Sequence, residues 1–365
     1  MAKFDEVLKD CTKLGTKIPT SEYLVNGKHP IIDQGQSDIA GYCNSEDGLF
    51  RNVPAIVFGD HTRIVKYIEK PCFLGADGVK LLCPVSKNAN CKYLFYQLSH
   101  ADIPNTGYNR HFKWVKALDF KIPSTDEQNR VVEVLDNITS LILLRQRQLT
   151  KLDELVKARF VEMFGDPKLN PYNFSCDKLS EYITFLTSGS RGWSQYFTDS
   201  GEYFITIKNV KNCKITLQDV QYVIPPDNAE AKRTKVQKND LLISITADLG
   251  RTGVVTEEIA NHGAYINQHL TCIRLKNEQV NPLYVAYYME SDAGKEQFTA
   301  KNQSAVKAGL NFNAINSLKL MVPPLSLQNQ FAAFVEEVDK QKQNVQQSLD
   351  KLELLKKALM QEYFG

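Results

Sequence analysis

The final 43 residues of this chain repeat a stretch of its middle at a fixed offset of 200 residues, and no gap is needed to align the two. Residues 123–165 read PSTDEQNRVVEVLDNITSLILLRQRQLTKLDELVKARFVEMFG, and residues 323–365 read PPLSLQNQFAAFVEEVDKQKQNVQQSLDKLELLKKALMQEYFG. Pro123/Pro323, Gln128/Gln328, Asn129/Asn329, Gln146/Gln346, Leu149/Leu349, Lys151/Lys351, Leu152/Leu352, Leu155/Leu355, Lys157/Lys357, Ala158/Ala358, Glu162/Glu362, Phe164/Phe364 and Gly165/Gly365 are identical. Each copy closes one half of the chain. The chain is therefore a tandem duplication, and such proteins tend to act on two-part targets.

Both copies read as long helices. Apolar or long-stemmed residues recur in alternating steps of four and three, a heptad seam. In the first copy the seam is Val131, Leu135, Ile138, Ile142, Arg145, Leu149, Leu152, Val156, Arg159 and Met163. In the second it is Phe331, Val335, Val338, Lys342, Val345, Leu349, Leu352, Lys356, Leu359 and Tyr363. Bases fall at different points of the two seams, which favours pairing of one with the other over self-association. The preceding proline presets each start, Ser124 or Thr125 is placed to cap the first helix and Ser326 the second, and each run stops at Phe-Gly. Asp126 and Glu127 have no acidic counterparts at Ser326 and Leu327, so the second helix start is the weaker one. About 40 residues at 1.5 Å each make a rod of roughly 60 Å.

Composition bounds the remainder. At 365 residues there is material for two cores of ordinary size. No apolar run approaches 18 residues and no charged-then-apolar leader follows Met1, so a soluble cytoplasmic protein is expected. The eight cysteines form no C-x-x-C pair, and several sit in apolar runs, as buried thiols do. Net charge is +3 over residues 1–122, −1 over 123–165, +1 over 166–322 and −1 over 323–365. The rods are thus not basic arms, and any phosphate-binding charge must cluster within the two larger segments or come from another subunit.

Those segments, about 4–122 and 174–322, look like variants of one module. Each opens on a short amphipathic piece (Phe4–Leu8, Asp177–Ile183) and runs through short strands separated by Gly, Asn and Asp turns. Each then has a strong apolar strand with a basic turn: Ala55–Gly59 before His61 and Arg63, and Leu241–Ile245 before Arg251. A tyrosine-rich helix follows, Cys91–Ser99 in one and Leu283–Met289 in the other. GDPKLNPYNFSC, residues 165–176, has the composition of a linker. The domain expectation is a first module over 1–122, a rod over 123–165, a second module over 166–322 and a second rod over 323–365.

The order of these parts resembles the specificity subunits of Type I restriction–modification systems, over nearly the whole chain. PIIDQGQSDIAGYCN (residues 30–44), VFGDHTRIVKY (57–67) and GADGVKLL (75–82) are similar to stretches of that family's target-recognition domains. DLLIS (240–244) and AYINQHLTCIRL (264–275) are similar to the other frequent version. IPSTDEQNRVVEVLD and VPPLSLQNQFAAFVE resemble the family's junction between recognition domain and helix. The resemblance implies an α+β fold with two target-recognition domains joined by two long helices in an antiparallel coiled coil with an internal pseudo-twofold. It implies a non-catalytic reader of double-stranded DNA with two different half-sites, docking two methylation subunits, with restriction subunits as further partners. It implies further that no membrane partner and no cofactor bound by this chain are expected, with S-adenosylmethionine expected on the partner methylation subunit. The first module begins almost at Met1, so no preceding arm is expected. A stiff rod would fix the separation of the half-sites.

Alternatives are an enzyme or a coiled-coil scaffold without nucleic acid. Ile224-Pro225-Pro226-Asp227 has the prolines of a methyltransferase box with the acid on the wrong side, and reads as a turn. Asp77-Gly78-Val79-Lys80 offers a nuclease-like acid and lysine without partner carboxylates, and Asp-Gly is a hairpin turn. A scaffold leaves the Arg-, Asn-, Gln- and His-rich turns unexplained. Arginine suits guanine, and Asn or Gln suits adenine. On that basis the candidate DNA-binding residues are Gln34, Gln36, His61, Arg63, Lys66, Asn109, Arg110, His111 and Lys113 in the first module. In the second they are Arg191, Trp193, Lys208, Asn209, Lys211, Arg251, Asn267, Gln268, Lys301, Asn302, Gln303 and Lys307.

Overall fold

Two 40-residue helices, Thr125–Phe164 and Leu325–Phe364, occupy the repeated segments in a computed structural model that describes residues 1–75, 78–85, 88–302 and 309–365. The Ser124 hydroxyl accepts the Glu127 N–H at 3.3 Å, and Asp126 and Glu127 lie in the first turn, where the helix dipole favours them. At the second start the Pro324 carbonyl accepts from Leu327 and Gln328 at 2.9 and 3.2 Å. Ser326 lies inside that helix, so the cap expected of it is not made; proline in the preceding position has no side-chain acceptor. Gly165 ends the first helix at φ +74°, the left-handed conformation that glycine reaches without strain.

The chain forms two compact units, and each takes part of both long helices: Met1–Gln148 with Val345–Gly365, and Leu149–Asn344. The rods are therefore not bodies separate from the modules.

In the first unit a four-stranded antiparallel sheet has the order Leu8–Asp10, Val79–Pro84, Ala55–Gly59, Val65–Ile68. Ala55–Gly59 is buried along its length, and its side chains alternate between faces. Ile56 and Phe58 join Phe4, Leu82, Leu94, Leu98 and Phe112 in one core, while Ala55 and Val57 join Ile68, Leu81 and Cys83 in another. A second sheet pairs Gly41–Cys43 with His29–Ile32, and His29–Ile32 runs parallel to Phe73–Leu74.

The second unit repeats this plan. Its main sheet has the order Ile183–Ser188, Leu270–Leu275, Leu241–Ser244, Thr252–Val254. Its second sheet contains a parallel pair, Glu202–Ile205 with Ala264–Ile266. The linker expected to run to Cys176 is shorter, because Ser175–Lys178 forms a strand against Lys319–Val322. The offset of 200 also extends upstream of the rods: the short helices Phe112–Lys116 and Phe312–Asn316 stand at matching positions, marked in sequence by Phe112/Phe312 and Leu118/Leu318.

Rod and module meet through the same joint twice. Asn90 caps the tyrosine-rich helix Cys91–His100, accepting from Lys92 and Tyr93. Its own N–H donates to Gln128 Oε1 at 2.8 Å, its amide donates to Asn129 Oδ1 at 2.8 Å, and Gln128 Nε2 donates to the Pro123 carbonyl at 2.9 Å. In the second unit Asn281 caps Pro282–Glu290, and the same bonds to Gln328 Oε1, Asn329 Oδ1 and from Gln328 Nε2 to Pro323 measure 2.8, 2.9 and 2.7 Å. Gln128 and Gln328 are both fully buried. Their identity across the repeat reflects this closed polar network, since a buried amide must find partners.

Within each unit the start of one long helix packs against the end of the other, so the pair is antiparallel. Val131 and Leu135 cluster with Met360, Tyr93 and Tyr96 in the first unit. In the second, Phe160 and Phe164 pack on Phe331 at ring distances of 5.3 and 5.6 Å, and on Tyr284 at 5.8 and 4.7 Å. Of the expected seam, Val131, Leu135, Ile138, Ile142, Leu152, Val156, Val335, Val338, Val345 and Leu349 are buried, while Leu149, Leu352 and Leu359 are half-buried. Near the end of the first helix the buried stripe shifts from Arg159 and Met163 to Phe160 and Phe164. A straight helix of 3.6 residues per turn drifts off a 3.5 repeat, and here it faces a globular module as well as a helix. Arg159 instead lies over the Phe334 ring, and Lys342 pairs with Asp153 of the facing helix.

Candidate nucleic-acid interface

In the first module three loops converge at one end of the sheets. The turn Gly59–Ile64 between two strands carries His61 and Arg63; the segment after His29–Ile32 carries Gln34 and Gln36; and residues 103–111 fold over both. Arg63 takes a left-handed φ of +62° and donates to the Ile103 carbonyl at 2.9 Å. The Asp60 carboxylate accepts the Phe112 N–H at 2.7 Å, and its carbonyl accepts the His111 N–H at 2.8 Å. The 103–111 segment is thereby stapled at both ends. His61 donates its backbone N–H to Gln34 Oε1 at 3.1 Å, and its ring Nδ1 lies 3.2 Å from the Asn109 carbonyl. Tyr108, 87% exposed, stacks on the His61 ring at 4.6 Å and 9° between planes.

This geometry sorts the expected readers. Gln34, Gln36, His61, Asn109 and Arg110 gather in the loop cluster, with Gln36, Asn109 and Arg110 exposed. His111 does not present itself to a ligand: it is fully buried, with Nδ1 at 2.9 Å from the Asp60 carbonyl. Lys66 is likewise buried, donating to the Ser37 carbonyl at 2.5 Å and pairing with Asp33 at 3.4 Å, which ties down the loop after His29–Ile32. Arg63 acts first as the staple to Ile103. Lys113 is exposed on the short helix Phe112–Lys116, over the Trp114 ring at 5.2 Å.

The second module builds the corresponding end from Ser188–Arg191, Thr246–Arg251 and Asn267–His269. Ser190 bridges to Asn267, whose N–H donates to the Ile205 carbonyl at 3.0 Å. Asn267 Oδ1 accepts the His269 N–H at 3.1 Å, and His269 Nδ1 meets Thr246 Oγ1 at 2.6 Å. Gln268 lies beside His269 Nε2 at 3.1 Å, with its Oε1 buried and without a partner among the described residues. Arg191 is exposed beside Gly192, and Arg251 is paired with Asp248. Gly189 approaches the Ile266 and Asn267 carbonyls so closely that an added Cβ would lie 2.2 and 2.1 Å from them.

Two expected readers here are structural. Trp193 is 4% exposed; its Nε1 donates to Ser190 Oγ at 2.6 Å, and its ring packs on Phe204 and Tyr265 at 5.2 and 5.0 Å. Asn209 is buried and holds its own turn, accepting from Thr206 N and Oγ1 at 2.9 Å and donating to the Thr216 carbonyl at 3.2 Å. Lys208 is exposed on that turn, whereas Lys211 falls on a separate hairpin whose Lys214 pairs with Asp339. Lys301 ends the helix Asp292–Ala300, and Asn302 Oδ1 accepts the Gly309 N–H at 3.1 Å. Gln303, Lys307 and Asp77 lie outside the described residues.

Beneath the second cluster, the aspartate that opens DLLIS is a fully buried anchor. Arg274 grips Asp240 with two bonds of 2.8 Å, which raises the guanidinium pKa further, and lies over the Phe185 ring at 5.0 Å. Six of the eight cysteines are buried. Burial pushes the Cys213 and Cys272 thiols well above their ordinary value. Among the described residues no His, Cys, Asp and Glu group could hold a metal ion, and no helix is long and apolar enough to cross a membrane. Sequence reasoning missed Tyr108, whose only signal was an aromatic inside the polar run Asn105–His111, and Asp60, a lone acid after an apolar strand.

The model of the family described as "Type I restriction modification DNA specificity domain" matches residues 3–154 and 185–354. The specificity subunit of the Escherichia coli Type I restriction enzyme EcoR124I/EcoR124II is 20% identical over 356 residues, covering 87% of this chain and 83% of that one. Among solved structures, the S subunit of a Type I restriction–modification system from M. genitalium superposes with a TM-score of 0.58 at 15% identity, over 100% of this chain and 95% of the other. A second, solved in work on complex assembly and conformational transition of the Type I R-M system, has a TM-score of 0.55 at 16% identity, over 98% and 94%. The fold is thus shared with solved members, the match falls once on each half of the duplication, and the chain belongs to the Type I restriction–modification DNA specificity family.

Proposed function

We propose that this chain is the non-catalytic, sequence-reading subunit of a Type I restriction–modification complex. Each module reads one half of a split double-stranded DNA target through its loop cluster, and the paired helices dock two methylation subunits, which bring S-adenosylmethionine. Restriction subunits are further partners, and the site of action is the cytoplasm, where the DNA is. The observation that supports this best is the recurrence of one sheet topology in two modules of different sequence, with the turn between the third and fourth strands of the main sheet (Gly59–Ile64, Thr246–Arg251) at the same place in each. Equivalent positions with different side chains suit half-sites of different sequence. The proposed direct contacts are Gln34, Gln36, His61, Asn109 and Arg110 in the first module, and Arg191, Lys208, Arg251, Asn267 and Gln268 in the second; surface lysines such as Lys113 suit phosphates.

The test is to assemble the chain with its methylation subunits and sequence the methylated bases in a DNA library. Two unlike half-sites at a fixed spacing are expected. Replacing residues 4–122 with the equivalent module of another member should change one half-site and spare the other. Loss of both, or methylation by the chain alone, would refute the proposal.

A further inference from the structure

Tyr108 is the most exposed aromatic ring among the described residues of the first module, yet it is not loose: it lies flat on the His61 ring at 4.6 Å and 9°. Its loop is fixed by Arg63 on the Ile103 carbonyl and by Asp60 on the backbone of His111 and Phe112. The histidine is fixed from three sides. Its backbone N–H donates to Gln34 Oε1, its ring is covered by Tyr108, and its Nδ1 meets the Asn109 carbonyl at 3.2 Å.

That last contact decides the polarity of the ring. A carbonyl oxygen only accepts, so Nδ1 must carry the proton, and in the neutral imidazole Nε2 is then a lone-pair acceptor. Among the described residues no group hydrogen-bonds Nε2, and the His61 side chain is half-buried rather than enclosed. In the major groove the acceptors N7, O6 and O4 face any protein donor, whereas the only donors are the exocyclic amino groups of adenine and cytosine. An imidazole held as an acceptor therefore discriminates in the direction that arginine and lysine do not.

We infer that the stacked pair His61–Tyr108 is a specificity-determining element of the first module, in which His61 Nε2 accepts from the amino group of an adenine or cytosine and Tyr108 holds the ring in place. The inference rests on the DNA-reading function proposed above. It is tested first without DNA. In the full chain labelled with ¹⁵N-histidine, and with the signal assigned by its loss in His61→Gln, the ring nitrogens should report the Nδ1–H neutral tautomer. An Nε2–H tautomer, or a charged ring at the pH of DNA binding, overturns the inference. The second test uses the assembled methylation complex on a random-sequence duplex library. His61→Ala should relax discrimination by about tenfold at one position of one half-site, where the parent selects adenine or cytosine on one strand. Tyr108→Ala should weaken the preference at that same position, and Tyr108→Phe should leave it intact. Unchanged selectivity in His61→Ala, or an equal loss at all positions, defeats the inference while leaving the DNA-reading function standing. A parent complex that selects no split target defeats both.

Discussion

Replacing Gln328 with leucine isolates the joint between the second module and its long helix. The amide is fully buried; Oε1 accepts the Asn281 N–H at 2.8 Å and Nε2 donates to the Pro323 carbonyl at 2.7 Å. Leucine fills similar space but meets neither group. A buried donor or acceptor left unmet costs about 1–3 kcal/mol. Asn281 is half-buried, so water relieves part of its loss, while Pro323 is buried and gains no such relief. The two together come to about 3–4 kcal/mol, offset by about 1 kcal/mol of added apolar burial, for a net loss of about 2–3 kcal/mol. Against a domain stability of about 5–15 kcal/mol this is large. The chain has two tryptophans, Trp114 in the first unit and Trp193 in the second. In a Trp114→Phe background, urea unfolding followed by Trp193 fluorescence reads the second unit directly. Asn329→Ala is the control: Asn329 is exposed, and its single bond to Asn281 should cost under about 1 kcal/mol. If Gln328→Leu shifts stability no more than this control, the buried amide is not what couples module to helix.

Four other outcomes are expected. Arg274→Ala should cost about 3–5 kcal/mol, because it strands the fully buried Asp240 carboxylate; a loss under 1 kcal/mol in the same unfolding assay contradicts that role. Burial lowers the Lys356 pKa from 10.5, so the folded state is penalised while this lysine is charged, and stability should rise as alkaline pH climbs from the folded value toward 10.5. Lys356→Met should raise the melting temperature and flatten that rise, as scanning calorimetry across pH will show. A thiol reagent should modify exposed Cys176 at once and reach Cys213 and Cys272 only on unfolding, which peptide mass mapping over time can check. Finally, inserting one heptad after both Gln148 and Ser348 adds roughly 10 Å to each helix, and the methylated half-sites should separate by up to about three base pairs with their bases unchanged.

The primary structure by itself determined the elements with strong periodicity. A 43-residue repeat with heptad spacing admits little besides a pair of long helices, and buried strands such as Ala55–Gly59 and Leu241–Ser244 announce themselves as apolar runs. Identity of Gln128 with Gln328 and of Asn129 with Asn329 was visible too, but its cause was not. That cause is a hydrogen-bond network to Asn90 and Asn281, 38 and 47 residues upstream of the two glutamines, and only the folded chain brings the partners together. The candidate site divides in the same way. Polar residue type in a turn marked Gln34, His61, Asn109, Asn267 and Gln268 for the loop clusters. The same search for DNA-reading side chains selected His111, Lys66, Asn209 and Trp193, which the fold consumes as internal ties. Side-chain chemistry is identical whether a group faces a base or a buried carbonyl; burial and partner geometry separate the two, and both are set by contacts far apart in sequence. Tyr108 shows the converse. Nothing in its neighbourhood along the chain distinguishes it from an ordinary loop aromatic until the Gly59–Ile64 turn places His61 beneath it.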